Sequence, residues 1–346
     1  MDFVRIGVVG AGLVGKRHMD VIAASSALEL GGIVEPDEAG ADLAFKHNTT
    51  LFSSLDAMLS DGSVDGVVIA TPTSLHVTQA LSCVKAGCAV LVEKPIGVEA
   101  SEAERLVHAA NEAGVPLLVG HHRRYNPSIQ RAHDVISSGE IGDVRAVQAT
   151  CWFYKPDHYF DVAPWRKQKG AGPISVNLVH DVDLIRHLVG EIVSVQAQAA
   201  PSLRGFANED VAAAVLRFAN GAVGTITVSD SIAAPWSWEH TSKEHPIYPA
   251  TTENCYLIGG SNGSLSVPDL RLWRHEGPEQ DWWTPISATP QIFDPSEPLF
   301  NQLHHFADVI KGKAAPLVSG EEGLKTLRVV EAIQQSAASG ETISLA

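Results

Sequence analysis

Three stretches of this 346-residue chain combine residue types that could do chemistry. The first is Gly10-Ala11-Gly12-Leu13-Val14-Gly15, which follows an apolar run and precedes a helix-compatible stretch. In such a loop the first glycine permits a tight turn and the second lets backbone approach a pyrophosphate. The third lets helix pack on strand, so that the helix N-terminus faces the phosphates. Glu35 lies 20 residues beyond Gly15, at the end of a second apolar run. A carboxylate there can accept hydrogen bonds from the adenine ribose diol and would repel a 2′-phosphate. NAD is the expected cofactor, with NADP less favoured.

The second stretch is Glu93-Lys94-Pro95 after a later apolar run, with Thr71-Pro72-Thr73 and His76 at the end of another. Ligands of an open α/β sheet gather at the carboxyl ends of its strands, which puts Lys94 near the nicotinamide. A lysine in that position can hydrogen-bond a substrate hydroxyl and help carry its proton, although a strand-end lysine alone is more often a solvated charge. The expected cofactor-binding set is Gly10, Gly12, Leu13, Val14, Gly15, Glu35, Thr71, Pro72, His76, Glu93 and Lys94. The third stretch is the amphipathic segment 174–189. Its Asn177, His180, Asp181 and Leu184 follow helical spacing and share a face. His180 can give or take a proton near neutral pH. The glycine-rich entry Gly170-Ala171-Gly172-Pro173 is expected to admit a second backbone closely.

The elements that must position these residues divide the chain in two. Residues 1–122 alternate short apolar runs (4–9, 28–34, 66–70, 89–92, 116–119) with helical stretches. That is the pattern of a parallel sheet covered on both faces, hence a doubly wound Rossmann domain. Residues 123–346 carry longer strand candidates at 142–152, 192–199, 211–218, 222–229, 254–259 and 264–267. Asn220-Gly221 and Asn262-Gly263 are hairpin signals among them. The expectation is an α+β domain with a large open, mainly antiparallel sheet for substrate binding and self-association. The Pro- and Trp-rich segments 231–253 and 276–298 have no period and read as loops. The closing helices within 300–338 are candidates to pack back on the first domain.

Composition narrows the function. The chain is 45% hydrophobic and 19% charged, and 40 acidic against 25 basic residues leave a formal charge of −15. That balance argues against nucleic acid and anionic membrane as partners and leaves a small molecule. No apolar run approaches the ~18–20 residues of a membrane span, and no signal peptide is legible, so a cytoplasmic location is expected. The four cysteines sit in no metal or redox spacing. His121/His122 and His304/His305 lack a third ligand, so no metal is expected.

Taken together, GAGLVGKRH (10–18), ATPTSLH (70–76), EKP (93–95), GHHRRYNP (120–127), GAGPISVNLVHDVDLIRHLVG (170–190), NEDVAAAVLRFANGAVGTI (208–226) and PLVSGEEGLKTLRVVEAIQQSA (316–337) resemble the glucose–fructose oxidoreductase / inositol dehydrogenase / rhizopine-catabolism (Gfo/Idh/MocA) family over essentially the whole chain. The resemblance implies a two-domain enzyme that carries a hydride between NAD(P) and a secondary hydroxyl of a sugar, sugar acid or cyclitol. It implies Lys94 and His180 as catalytic residues at the reacting hydroxyl. Arg123, Trp165, Arg166, Asn177 and Asp183 are the implied substrate contacts. Relatives often carry an aspartate four residues before the histidine; here Val176 stands there, and the neighbouring Asn177 cannot titrate. Assembly as a homodimer or homotetramer through the open sheet is also implied. Two other readings stay open: a redox-assisted glycosidase or lyase with no net cofactor turnover, and a nucleotide-sensing regulatory protein on the same fold.

Overall fold

The computed structural model describes residues 3–277 and 279–345. The chain separates into two compact units, one reaching to Tyr125 and including Ser296–Leu327, the other Asn126–Pro295 with the segment after Leu327. The first unit opens with β1 (Val4–Val9), α1 (Leu13–Ala24), β2 (Leu28–Val34), α2 (Ala39–Lys46), β3 (Leu51–Phe52) and α3 (Leu55–Asp61). It continues with β4 (Gly66–Ile69), α4 (Thr73–Lys85), β5 (Ala89–Val92), α5 (Ala100–Ala113), β6 (Leu117–Val119) and a 3-10 turn at His122–Tyr125. The six strands are parallel in the order β3-β2-β1-β4-β5-β6.

Side-chain alternation along those strands builds two cores. Ile6, Val8, Val68 and Leu91 pack with Met19 and Ile22 of α1, while Val67, Ile69, Val90 and Val92 pack with α3, α4 and α5. With both faces covered, the strands read as unbroken apolar runs. α2 and β3 carried no usable sequence signal.

The second unit holds α6 (Pro127–Ser137), β7 (Val144–Trp152), α7 (Asp157–Asp161), α8 (Pro173–Val176), α9 (Leu178–Val189), β8 (Ile192–Pro201), β9 (Glu209–Phe218) and β10 (Val223–Ser229). α10 (Trp238–Thr241), β11 (Tyr256–Gly260), β12 (Ser264–Val267), β13 (Arg271–His275) and β14 (Ile286–Pro290) follow. The chain then adds α11 (Pro298–Ile310) to the first unit, and the unit boundary falls within α12 (Gly320–Ser339) before β15 (Ile343–Ser344). The nine-stranded sheet runs β14-β13-β12-β11-β7-β10-β9-β8-β15. All its pairs are antiparallel except β7 with β10.

One face of this sheet is covered by α6, α9 and the later part of α12. On exposed positions of its strands stand Val215, Val223, Leu257 and Trp273. Three sequence expectations about these elements need correction. Segment 231–253 is not all loop, because Trp238–Thr241 forms α10. Segment 276–298 is not all loop, because Ile286–Pro290 pairs with Arg271–His275. Segment 174–189 is not one helix: α8 ends at Val176 and α9 starts at Leu178, with Asn177 between them at φ −103°, ψ −53°.

Candidate active site

The first group of residues lies in the first unit. Gly10 turns at φ +91°, where a Cβ would stand 2.8 Å from the Ala70 carbonyl oxygen. A Cβ on Gly15 would overlap the Gly10 carbonyl oxygen, so α1 can start this close to β1 only with glycine there. Gly12 has open space where its side chain would be, and Gly12 and Leu13 are exposed at the N-terminus of the 12-residue α1. These are the features a pyrophosphate needs: free backbone, a helix N-terminus and no side chain in the way. Glu35 is half-buried, and its carboxylate accepts from Ala11 N–H at 2.5 Å and Asp37 N–H at 3.2 Å, which holds it beside the loop.

The ends of β4 and β5 are tied together by side chains. The buried His76 ring bridges the carbonyl oxygens of Pro95 and Thr71, each at 2.8 Å, and Thr71 Oγ1 donates to Gln79 at 2.6 Å. His76 therefore clips the two strand ends and keeps both ring nitrogens on protein, while Pro72 is exposed. Glu93 is buried and accepts from His18 Nε2 at 2.8 Å and from Lys94 N–H at 3.2 Å. Burial alone would push its carboxyl up. The His18 hydrogen bond and, when protonated, its charge, together with the charges of His122 and Lys94, outweigh burial and hold Glu93 below its ordinary value. Lys94 is half-buried, and Arg123 is buried in the 3-10 turn beside Arg124, whose guanidinium pairs with Glu322 at 3.0 Å.

A second group surrounds the start of α9, all within the second unit. Lys155 is buried; its Nζ donates to Asn177 Oδ1 at 2.7 Å and stands 3.8 Å from Asp230 Oδ2. Arg204 reaches the other oxygen of Asp230 at 3.1 Å and the Lys155 carbonyl at 2.8 Å. Burial lowers the Lys155 amine and raises the Asp230 carboxyl, so each is driven toward its neutral form, and their mutual attraction offsets this only in part. Glu209 accepts from Ile174 N–H at 3.1 Å, and burial raises its carboxyl as well.

The glycine-rich entry thus admits a side chain, not a second backbone. A Cβ on Gly172 would overlap the Glu209 carboxylate. His180 and Asn177 are buried, and Asp181 accepts from the Tyr256 hydroxyl. Asp183 is buried further along α9. Trp165 is 55% exposed, while Arg166 lies over the Tyr159 ring at 4.0 Å and donates to the Tyr159 carbonyl at 2.7 Å. Among the described residues no cluster of three or more His, Cys, Asp or Glu could hold a metal, and no helix is long and apolar enough to cross a membrane.

Residues 4–121 match the Gfo/Idh/MocA model described as an oxidoreductase family with an NAD-binding Rossmann fold, and residues 129–266 match the family's C-terminal domain. The chain belongs to this family. Among its relatives, inositol 2-dehydrogenase of Rhizobium meliloti (strain 1021) is 27% identical over 99% of both chains. The 1,5-anhydro-D-fructose reductase of Ensifer adhaerens is 26% identical over 99% of this chain and 98% of its own. The WlbA dehydrogenase of Bordetella pertussis, solved with NADH and UDP-GlcNAcA, is 29% identical with a TM-score of 0.81, covering 100% of this chain and 99% of its own. As a Gfo/Idh/MocA member the protein is an NAD-binding oxidoreductase, and the glycine loop fits that cofactor.

Within this family frame, sequence reasoning missed Lys155, Arg204, Glu209 and Asp230 as a group. The signal was positional. Lys155 and Asp230 each follow a strand, and β7 and β10 run parallel, with Trp152 opposite Ser229, so their following residues meet and Lys155 N–H donates to the Asp230 carbonyl at 2.8 Å. No hairpin signal announces a parallel pair.

Proposed function

We propose that the protein moves a hydride between NAD and a secondary hydroxyl of a sugar, sugar acid or cyclitol. The observation that carries this reading is the group around α9. Lys155, Asn177, Glu209 and Asp230 are charged or amide side chains held by one another and by backbone, the mixture of donors and acceptors that a polyhydroxylated molecule requires. The relatives named for inositol and anhydrofructose, and the neighbour holding UDP-GlcNAcA, agree with that class.

NAD⁺, when bound, supplies the hydride acceptor. His180 accepts the hydroxyl proton, and Lys94 donates to the oxygen as negative charge develops on it. With Oδ1 engaged by Lys155, Asn177 offers its amino group as a donor toward a substrate oxygen. Asp183, Arg123, Trp165 and Arg166 remain the proposed substrate contacts. Val215, Val223, Leu257 and Trp273, exposed on the large sheet, support self-association as a homodimer or homotetramer.

The test is NADH formation across polyols, cyclitols, aldoses and sugar acids, repeated with NADP⁺. Net NADH with one stereochemical class is expected. A silent panel from a protein that binds NAD⁺ would overturn the dehydrogenase reading for those classes.

A further inference from the structure

Two buried groups at the strand ends of the second unit face each other just beyond bonding distance. Lys155 Nζ gives one of its three N–H bonds to Asn177 Oδ1 at 2.7 Å. Asp230 Oδ2, at 3.8 Å, is too far to take a second. That oxygen is buried and has no hydrogen-bond partner among the described residues, an arrangement that is costly unless something else supplies the proton.

The frame around the pair holds the separation. Lys155 N–H donates to the Asp230 carbonyl at 2.8 Å, which ties the two backbones together. Arg204 donates to Asp230 Oδ1 at 3.1 Å, and also to the carbonyls of Lys155 at 2.8 Å and Asp230 at 3.1 Å. The Asp230 carboxylate is thus pinned through one oxygen and turns the other toward Lys155.

An oxygen about 2.8 Å from each group would join them at ordinary bond lengths. It must accept from Lys155 and donate to Asp230. A hydroxyl or a water does both, whereas a carbonyl, ether or carboxylate oxygen has no proton for Asp230. The position on α9 ties this subsite to the reaction. His180 N–H donates to the Asn177 carbonyl at 3.1 Å, so the residue that holds Lys155 stands one turn before the proposed base.

We propose that Lys155 and Asp230 together bind one hydroxyl of the substrate, other than the hydroxyl that is oxidised. A hydroxyl has a single proton, and one given to Asp230 is not available to His180. The substrate is therefore a diol or higher polyol with a free hydroxyl at this subsite, and the two side chains set specificity. Without substrate the same two bonds suit a water molecule. This deepens the polyol reading above and rests on it.

The test is steady-state kinetics of the full chain with the panel polyol that gives most NADH, beside its mono-deoxy analogues. Loss of one non-reacting hydroxyl is expected to lower kcat/KM by on the order of a hundredfold, because a buried donor and acceptor lose their partner. In Lys155→Met that polyol-over-deoxy ratio should shrink to within about fivefold, since the analogue has little left to lose. Asp230→Asn should shrink it too. With its oxygen on Arg204, the new amide turns N–H bonds toward Lys155 and offers the hydroxyl no acceptor. Variants that slow both compounds equally, or a deoxy series that is flat in the parent, would overturn the proposal and leave a structural water only. If Lys155→Met fails to fold, the deoxy series and Asp230→Asn still decide. A panel silent throughout would overturn the polyol reading itself, and this subsite with it.

Discussion

In the first unit a buried carboxylate, Glu93, is held below its ordinary range by the His18 hydrogen bond and neighbouring positive charge, while in the second Asp230 and Glu209 are pushed above theirs by burial despite Lys155 nearby. The first unit presents its ligand with backbone: glycines, a helix N-terminus, and side chains turned onto carbonyls and amides. The second presents charged and amide side chains gathered from β9, the ends of β7 and β10, and the α8–α9 junction. Backbone sites are rigid and are lost by adding atoms. Side-chain sites are adjustable and are lost by removing charge.

The sharpest break of that comparison is steric. Gly15→Ala would drive a Cβ into the Gly10 carbonyl, so it should destabilise the chain by about 3 kcal/mol or more in chemical denaturation and abolish NAD⁺ binding. Gly12→Ala meets no protein atom and should fold with its parent's stability while losing most of its NAD⁺ affinity. Equal unfolding by both variants would show that the loop is tight for protein reasons alone.

In the second unit the corresponding break is electrostatic. Asp230→Ala leaves Arg204 without its 3.1 Å partner and Lys155 without its nearest carboxylate, both largely buried. A destabilisation of about 3 kcal/mol is expected, and Asp230→Asn should recover part of it by keeping an acceptor. A change within error would mean that water already compensates these cations.

The two units also differ in what their sequence discloses. Three glycines within six residues, an acid at the next strand end and unbroken apolar strands are local signals, and the six-stranded sheet has the parallel architecture they imply. The second sheet was legible as mainly antiparallel from alternation and Asn-Gly turns. Its one parallel pair was not, and that pair brings Lys155 to Asp230. The break at Asn177 escaped because the helical period of α8 continues into α9 across it. β14 escaped because Ile286–Pro290 is a short edge strand in which four of the five residues are exposed, so burial leaves no period in its sequence.

Protonation gives a smaller effect with opposite signs in the two units. Glu93 is held low, so its contribution is present above its ordinary value of 4.5 and is lost as pH falls through the depressed folded value. Glu93→Gln should therefore be less stable than the parent near neutrality, with the gap closing in acid. Glu209 is raised, so the folded state holds its proton longer than the unfolded chain, and stability falls as pH rises from 4.5 through the folded value. Glu209→Gln should remove that fall and gain on the parent as pH rises. Denaturation midpoints of the two variants across pH should diverge from the parent in opposite directions, and parallel curves would remove the electrostatic contrast.

The smallest expected effect tests whether the first unit is as fully satisfied as its strand ends suggest. Gln302 on α11 is fully buried, and neither its amide nitrogen nor its oxygen has a hydrogen-bond partner among the described residues. Leu303 and Phe306 on the same helix are buried in an apolar cluster. An amide buried without partners costs more than the packing of its methylenes returns, whereas leucine has similar volume and no polar atom. Gln302→Leu should thus raise stability by up to about 1 kcal/mol, read as a higher denaturation midpoint with unchanged NAD⁺ affinity. A loss of stability instead would mean that an internal water joins this amide to its neighbours, and that the first unit, like the second, uses a side chain where its backbone leaves a gap.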